Sequence, residues 1–396
     1  MKKVYLLAVL LFQFTYASYA QDQAFIQNIQ TLLDLRTPND FYRTHIVHEF
    51  TYNDPHLYNG IDFLKNMIND DVIKFVNGLG LSEYDPATPL TNAFLNIRYM
   101  INDKSQPNFD IHWKTAGQTN DFMLLENKYY LPLGFMVNEN ISGYVHDDNP
   151  FMSQNNLFRR ATGFDADLFA VTELTDSDIT EKDEGRGLAM WDYKVPSAGL
   201  IYTYFKNDGD STHVNVYLNN ELKYFVNISP EHKVGFRPIG YFQQDDIISI
   251  VTKVDVSSYL GLFNEELFEQ GYYKLASQPL VLTEFTNNNI KGHVVALEDG
   301  LLYTSIPAKN WNVYVDSVEK EMVLIDGAMA AVRLNKGYRE VEFRYINNLD
   351  NDQTKINFFN SNFVIGIVTG IAISLVLFGV IAFIVIRARN KRKKSA

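Results

Sequence analysis

The 396-residue chain contains no cysteine. That excludes disulfides, a thiolate nucleophile and any cysteine-ligated metal. Catalytic signatures are equally scarce, with no Gly-x-Ser-x-Gly elbow and no phosphate-cradling Gly-x-x-x-x-Gly-Lys loop. His45, His48 and Glu49 are metal-binding residue types, but they fall in the order H-x-x-H-E rather than H-E-x-x-H. No helix is expected to present both imidazoles beside that carboxylate, so they read as ordinary surface or packing histidines. A calcium loop opening at Asp176 would need Gly at its sixth position and Glu at its twelfth, where Glu181 and Gly187 stand. No catalytic residue, metal or cofactor is assigned.

Long apolar runs are also absent, with one exception. Residues 363–386 (FVIGIVTGIAISLVLFGVIAFIVI) are 24 residues without a charge, enough to cross a bilayer core of about 30 Å. Arg387, Arg389, Lys391, Arg392, Lys393 and Lys394 follow at once. By the positive-inside rule they place the C-terminus in the cytoplasm and the bulk of the chain outside it. At the other end, Lys2 and Lys3 precede an apolar run from Val4 to Phe14, then Ser18-Tyr19-Ala20. This is the layout of a secretory signal cleaved after Ala20, with an uncleaved N-terminal anchor as the alternative.

Acidic residues are missing from both ends. Eight of the 35 Lys and Arg lie in those ends, leaving 27 against 47 Asp and Glu between them, a net charge of about −20. A field of that sign disfavours nucleic acid as a partner and anionic lipid as a resting surface.

Periodicity divides the rest. Phe25 to Leu33, Gly60 to Ile68 and Val72 to Val76 have helical spacing, and Gly78-Leu79-Gly80 reads as a helix stop. Ile97 to Ile101 and Tyr129 to Val137 read as strands, and Tyr259 to Tyr273 as a helical patch. Thr172 to Gly187 holds six acidic residues and reads as a mobile loop. After Leu188 the period becomes two, and Asn219-Asn220 marks a tight hairpin. Six short strand patterns follow between Gly292 and Tyr345, punctuated by Gly300, Asp326-Gly327 and Gly337. The fold class expected is α+β. A mixed α/β unit at 21–187 precedes two β-sandwich-like domains at 188–289 and 290–346, then a linker at 347–362, a transmembrane helix at 363–386 and a basic tail at 387–396, with the signal or anchor at 1–20.

For ligand contact the best-placed residues are Glu126, Asn127, Tyr129 and Tyr130, which combine flat aromatic faces with hydrogen-bonding groups. Gln154 and Asn155 add an amide-rich turn after Asn149-Pro150-Phe151. Such a set suits a glycan, which needs stacking and hydroxyl partners together; the alternative is that the amides tie down loop backbone.

Several stretches together resemble the YfhO family of bacterial membrane proteins. They are Phe41-Tyr42-Arg43, Leu57-Tyr58-Asn59-Gly60, Asn77-Gly78-Leu79-Gly80, AFLNIRYMI from Ala93, ENKYYLPLGFMV from Glu126, Asn149-Pro150-Phe151 with Gln154-Asn155, and WNVYVD from Trp311 followed by Asp326-Gly327-Ala328. The resemblance implies kinship with large polytopic proteins of the GT-C glycosyltransferase type that add sugars to envelope polymers such as lipoteichoic acid. In that architecture a helix bundle carrying the catalytic carboxylate precedes an extracytoplasmic domain. This chain shows no such bundle, no catalytic assignment transfers to it, and Lys2 to Ala20 could instead descend from one of the bundle's helices. The expectation is an accessory or glycan-binding module whose partners are the membrane, an envelope glycan and a separate polytopic glycosyltransferase subunit. The alternatives are an enzyme acting on envelope sugars and an inactive truncated product.

Overall fold

The computed structural model describes residues 27–36, 41–47, 70–81, 88–104, 111–207, 209, 211–228, 236–286 and 288–346. The segments expected to be the signal or anchor, the linker, the membrane span and the tail lie outside these residues, as do the helical pattern at Gly60 to Ile68 and the pair His48 and Glu49. The described elements belong to one compact unit, Met1–Tyr345, apart from Ile346 at its end.

The chain is mostly β, in several sheets. The first sheet holds β1 (Arg43–Val47), β2 (Ile97–Asp103), β3 (Trp113–Gln118) and β4 (Phe122–Asn127) in the order β1-β2-β4-β3, with β1 parallel to β2. A helical stretch at 27–33 covers it, and Ile29 and Leu32 pack with Tyr99, Ile101 and Leu124 in one small core.

Two pairs of sheets follow. In the middle pair, β7 (Ile179–Asp183), β8 (Leu188–Lys194), β10 (Thr212–Leu218), β11 (Glu221–Ile228) and β13 (Ile247–Lys253) form a sheet of order β11-β10-β13-β8-β7. Its partner runs β12-β9-β14-β6, from β6 (Phe169–Leu174), β9 (Gly199–Lys206), β12 (Arg237–Phe242) and β14 (Ser257–Phe263). One core lies between them, with Trp191, Val214, Val226 and Ile250 from one sheet meeting Ile201, Phe205, Phe242 and Leu260 from the other.

The last pair repeats the arrangement. β15 (Val281–Phe285), β16 (Asn289–Ala296), β18 (Trp311–Val315), β19 (Val318–Lys320) and β22 (Gly337–Tyr345) lie in the order β15-β16-β22-β18-β19. Facing them are β5 (Gly134–Val137), β17 (Gly300–Pro307), β20 (Met322–Ile325) and β21 (Met329–Leu334), in the order β20-β21-β17-β5. Val294, Val313 and Phe343 share a core with Met136, Leu302 and Val332.

The helices fill the space between the two pairs. They are α1 (Asp70–Gly78), α2 (Pro89–Phe94), α3 (Pro150–Thr162) and α4 (Glu265–Ala276). Phe75, Phe94, Phe151, Phe158 and Phe268 pack in one large cluster with Leu200 and Tyr202 of β9 and with Leu301 and Tyr303 of β17. Strands β9 and β17 are therefore covered on both faces and buried at every position but the last. This accounts for their lack of polar alternation, with small hydroxyl residues Thr203, Thr304 and Ser305 as the polar side chains buried within them.

Sheet membership crosses the divisions drawn from sequence. Strands β6 and β7 precede residue 187 yet belong to the middle pair, and β5 pairs with β17 in the last pair. The stretch Thr172 to Gly187 is not a loop, because β7 hydrogen-bonds to β8 as an edge strand. An edge strand is held by its backbone and can be polar on both faces. Tyr259 stands in β14 rather than in a helix, which begins only at Glu265 after the N-cap Asn264. Of Tyr129 to Val137, only Gly134–Val137 is a strand. The amide-rich turn is instead the start of α3. The Asn149 side chain accepts from the Phe151 N–H at 3.0 Å, Pro150 opens the helix, and Gly163 closes it at φ 74°. Asn219 and Asn220, at φ 47° and 69°, form the expected hairpin turn.

Candidate functional site

The segment after β4 positions most of the candidate residues. Asn127 is buried, and its side-chain carbonyl accepts from the Tyr129 N–H at 2.9 Å while its amide donates to the Ile97 carbonyl at 3.0 Å. This buried side chain shapes the turn.

Tyr129 and Tyr130 then serve different neighbours. The Tyr130 hydroxyl accepts from the Asn96 amide and donates to the Phe41 carbonyl, each at 3.1 Å. The Arg98 guanidinium lies 5.3 Å from the Tyr130 ring, 5.4 Å from Tyr42 and 5.5 Å from Tyr99. Arg98 also donates through Nε and Nη2, both at 3.2 Å, to one oxygen of Glu126, whose other oxygen sits 3.0 Å from Lys114 Nζ. Burial raises the Glu126 pKa, but the hydrogen bonds and charges of Lys114 and Arg98 outweigh it and hold the carboxyl below its ordinary value. Glu126 and Tyr130 thus belong to a saturated ion-aromatic network.

Tyr129 turns toward α4. Its ring meets Phe268 and Tyr272 edge-on with centroids 5.2 Å away, and His112 at 5.6 Å. Its hydroxyl donates to the Glu269 carboxylate. Burial first, and then the bond to and charge of Glu269, push the phenol pKa well up, so the hydroxyl keeps its proton. Glu265 lies one turn before Glu269 on the same face of α4. Its Oε1 is buried without a hydrogen-bond partner among the described residues, and His112 Nε2 lies 3.9 Å away. Tyr273, 65% exposed, touches Tyr272 at 5.4 Å and extends the aromatic surface outward. α4 reaches this position because Gly271 has no side chain: a Cβ there would run into the Phe158 ring of α3.

Gln154 and Asn155 lie apart from this patch, in the core. The Gln154 carbonyl accepts from Thr88 Oγ1 at 2.7 Å and its amide donates to the Leu79 carbonyl at 2.8 Å. Asn155 donates to the Phe169 carbonyl at 3.0 Å and accepts from the Phe169 N–H at 2.8 Å. Both residues are buried and satisfied by their neighbours. Of the six candidates, then, Tyr129 alone contributes to a partly open aromatic and acidic patch. The partners His112, Glu265, Glu269 and Tyr272 were not legible in sequence. Among the described residues no cluster of three or more His, Asp and Glu could hold a metal.

The sheets make a mostly β body, and the Tyr129 patch is an aromatic, carboxylate-bearing part of it. A family model described as bacterial membrane protein YfhO matches residues 6–350. The chain belongs to the YfhO family of bacterial membrane proteins. No curated protein matches it. Among solved structures, a cycloisomaltooligosaccharide glucanotransferase from Paenibacillus sp. with bound cycloisomaltoheptaose is 12% identical, covering 45% of this chain and 44% of its own, at a TM-score of 0.17. The CUB1-EGF-CUB2 region of human MASP-1/3 is 9% identical, covering 45% of this chain and all of its own, at 0.17. A conserved Pseudomonas aeruginosa PAO1 protein of unknown function is 9% identical, covering 46% and 87%, at 0.15. Scores this low establish no shared fold. Among the described residues no helix is long and apolar enough to cross a membrane.

Proposed function

We propose that the chain is a membrane-anchored extracytoplasmic module that binds an envelope glycan of the teichoic-acid type and serves a polytopic glycosyltransferase as its accessory subunit. In this reading residues 363–386 are the single span, the basic tail is cytoplasmic, and the two sheet pairs are β-sandwich modules. The observation that supports the reading is the patch around Tyr129, whose ring packs 5.2–5.6 Å from those of His112, Phe268 and Tyr272 while its hydroxyl meets Glu269 and His112 lies 3.9 Å from Glu265. Sugars stack their C–H faces on such rings and donate hydroxyl hydrogens to such carboxylates. Membership of a family of bacterial membrane proteins supports the membrane setting.

The test is a titration of the full-length chain in nanodiscs with purified lipoteichoic acid, read by intrinsic fluorescence. Saturable binding that weakens severalfold in Tyr273→Ala is expected, because this ring is mostly exposed and its loss does not disturb the core. Binding that Tyr273→Ala leaves unaltered, or no binding at all, refutes the site. External protease on intact cells should cut the body of the chain; cleavage only after lysis would reverse the topology.

A further inference from the structure

The patch around Tyr129 has more negative charge and more aromatic surface than a neutral sugar needs. Two carboxylates, Glu265 and Glu269, lie one turn apart on α4; the Tyr129 hydroxyl meets Glu269, His112 lies 3.9 Å from Glu265, and the Tyr129 ring packs against His112, Tyr272 and the buried Phe268. Glu269 accepts from Tyr129, while Oε1 of Glu265 is shielded from solvent and, among the described residues, accepts no hydrogen bond. A buried acceptor without a donor is costly, and the cost is recovered only when a donor arrives. His112 Nε2, at 3.9 Å, is too far to hydrogen-bond.

The neighbouring lysines are engaged elsewhere. Lys128 Nζ donates to the Ile111 carbonyl at 2.6 Å, and Lys274 Nζ donates to the Thr162 carbonyl at 2.7 Å. Neither of these two lysines supplies the donor, which a ligand at the patch can bring. Aromatic faces attract cations through the ring quadrupole, and a carboxylate beside them supplies the charge-assisted hydrogen bond. An ammonium group satisfies both, whereas a hydroxyl satisfies only the second.

We infer that the glycan held at the Tyr129 patch carries a free amino group, and that its ammonium is received by Glu265 beside the rings of His112 and Tyr129. This rests on the glycan-binding reading and specifies the ligand class within it: an amino sugar, not its N-acetylated or neutral counterpart.

Full-length protein in nanodiscs is titrated with three pentasaccharides: a glucosamine oligomer, the corresponding N-acetylglucosamine oligomer and a cello-oligosaccharide. Calorimetry gives the affinities. The amine is expected to bind on the order of tenfold more tightly than the other two, the scale of one cation–π contact joined to one charge-assisted hydrogen bond. Glu265→Gln keeps the shape and removes the charge, so it should erase most of that preference. Glu181→Gln, on the exposed edge strand β7, should preserve it and so controls for general attraction to an acidic protein. Urea unfolding of each variant shows whether the fold is intact. Equal affinity for all three oligomers overturns the amine preference and leaves glycan binding standing. A preference that survives in Glu265→Gln removes Glu265 from its role. Binding of none of the three overturns the amine inference, and the lipoteichoic acid titration then decides separately whether any glycan is bound.

Discussion

Replacing Asn155 with alanine would leave the N–H and C=O of Phe169 without partners inside the core. Phe169 lies in β6, the edge strand of the four-stranded sheet, with β14 as its one neighbour. Where a further strand would bond, the Asn155 amide stands in for it, with bonds of 2.8 and 3.0 Å. Phe169 is 1% exposed, so water cannot replace the amide. Each orphaned buried backbone group costs about 1–3 kcal/mol, so Asn155→Ala should lose about 2–5 kcal/mol of stability. Urea unfolding followed by the fluorescence of buried Trp191 should show this as a midpoint lowered by about 1 M or more, at unchanged slope. Asn155→Asp keeps the acceptor, loses the donor and buries a charge, so it should be no better. If instead Asn155→Ala unfolds at the wild-type midpoint and loses glycan affinity, the amide is a ligand contact and the edge-strand argument is wrong.

Three further outcomes follow from the same geometry. Gly261→Ala in β14 sets a methyl group against the Phe151 ring of α3, and overpacking of this kind should cost about 1–3 kcal/mol in denaturant unfolding. Buried Arg43 donates through Nη1 to the Leu95 carbonyl and Ser305 Oγ, and through Nη2 to the Ser305 carbonyl, so Arg43→Lys keeps a cation but loses the fork and should cost about 2–4 kcal/mol by the same measurement. Glu126 is held below its ordinary pKa by Lys114 and Arg98 against the opposing effect of burial, so its contribution to stability is complete above the unfolded carboxylate value of about 4.3 and is lost as pH falls through the lower folded value. Unfolding midpoints between pH 3 and 7 should therefore show a shallower acid limb in Glu126→Gln, and an identical limb would remove the ion network from the account.

The parts of this fold that could be read in the sequence depend on local chemistry. The hairpin at Asn219-Asn220 and the six late strand patterns follow from turn residues and alternation, and the structure places strands there. The start of α3 was equally local, since Asn149, Pro150 and Gly163 spell an N-cap, a first helical position and a C-terminal stop. Its amides drew attention away from those signals. β7 was invisible for another reason: an exposed edge strand is specified by the backbone of β8 and needs no apolar face of its own. The patch lay beyond sequence reasoning altogether. Tyr129 and Glu269 are 140 positions apart, and no spacing rule links a turn after β4 to the second turn of α4. Asn155 shows the converse, a polar residue that suggests recognition until its partner proves to be the chain's own backbone.

Strand β5 belongs by sequence to the first part of the molecule and by hydrogen bonding to the last, where Leu301 to Thr304 pair with Val137 to Gly134. A chain that emerges from its N-terminus therefore presents this short ribbon long before its counterpart exists, and the final layer can close only by returning to it. Cutting the gene between the two would not release a tidy C-terminal piece. It would bare the flank of β17 and invite that flank to capture some other strand, so the two extremities of the body are made to mature together.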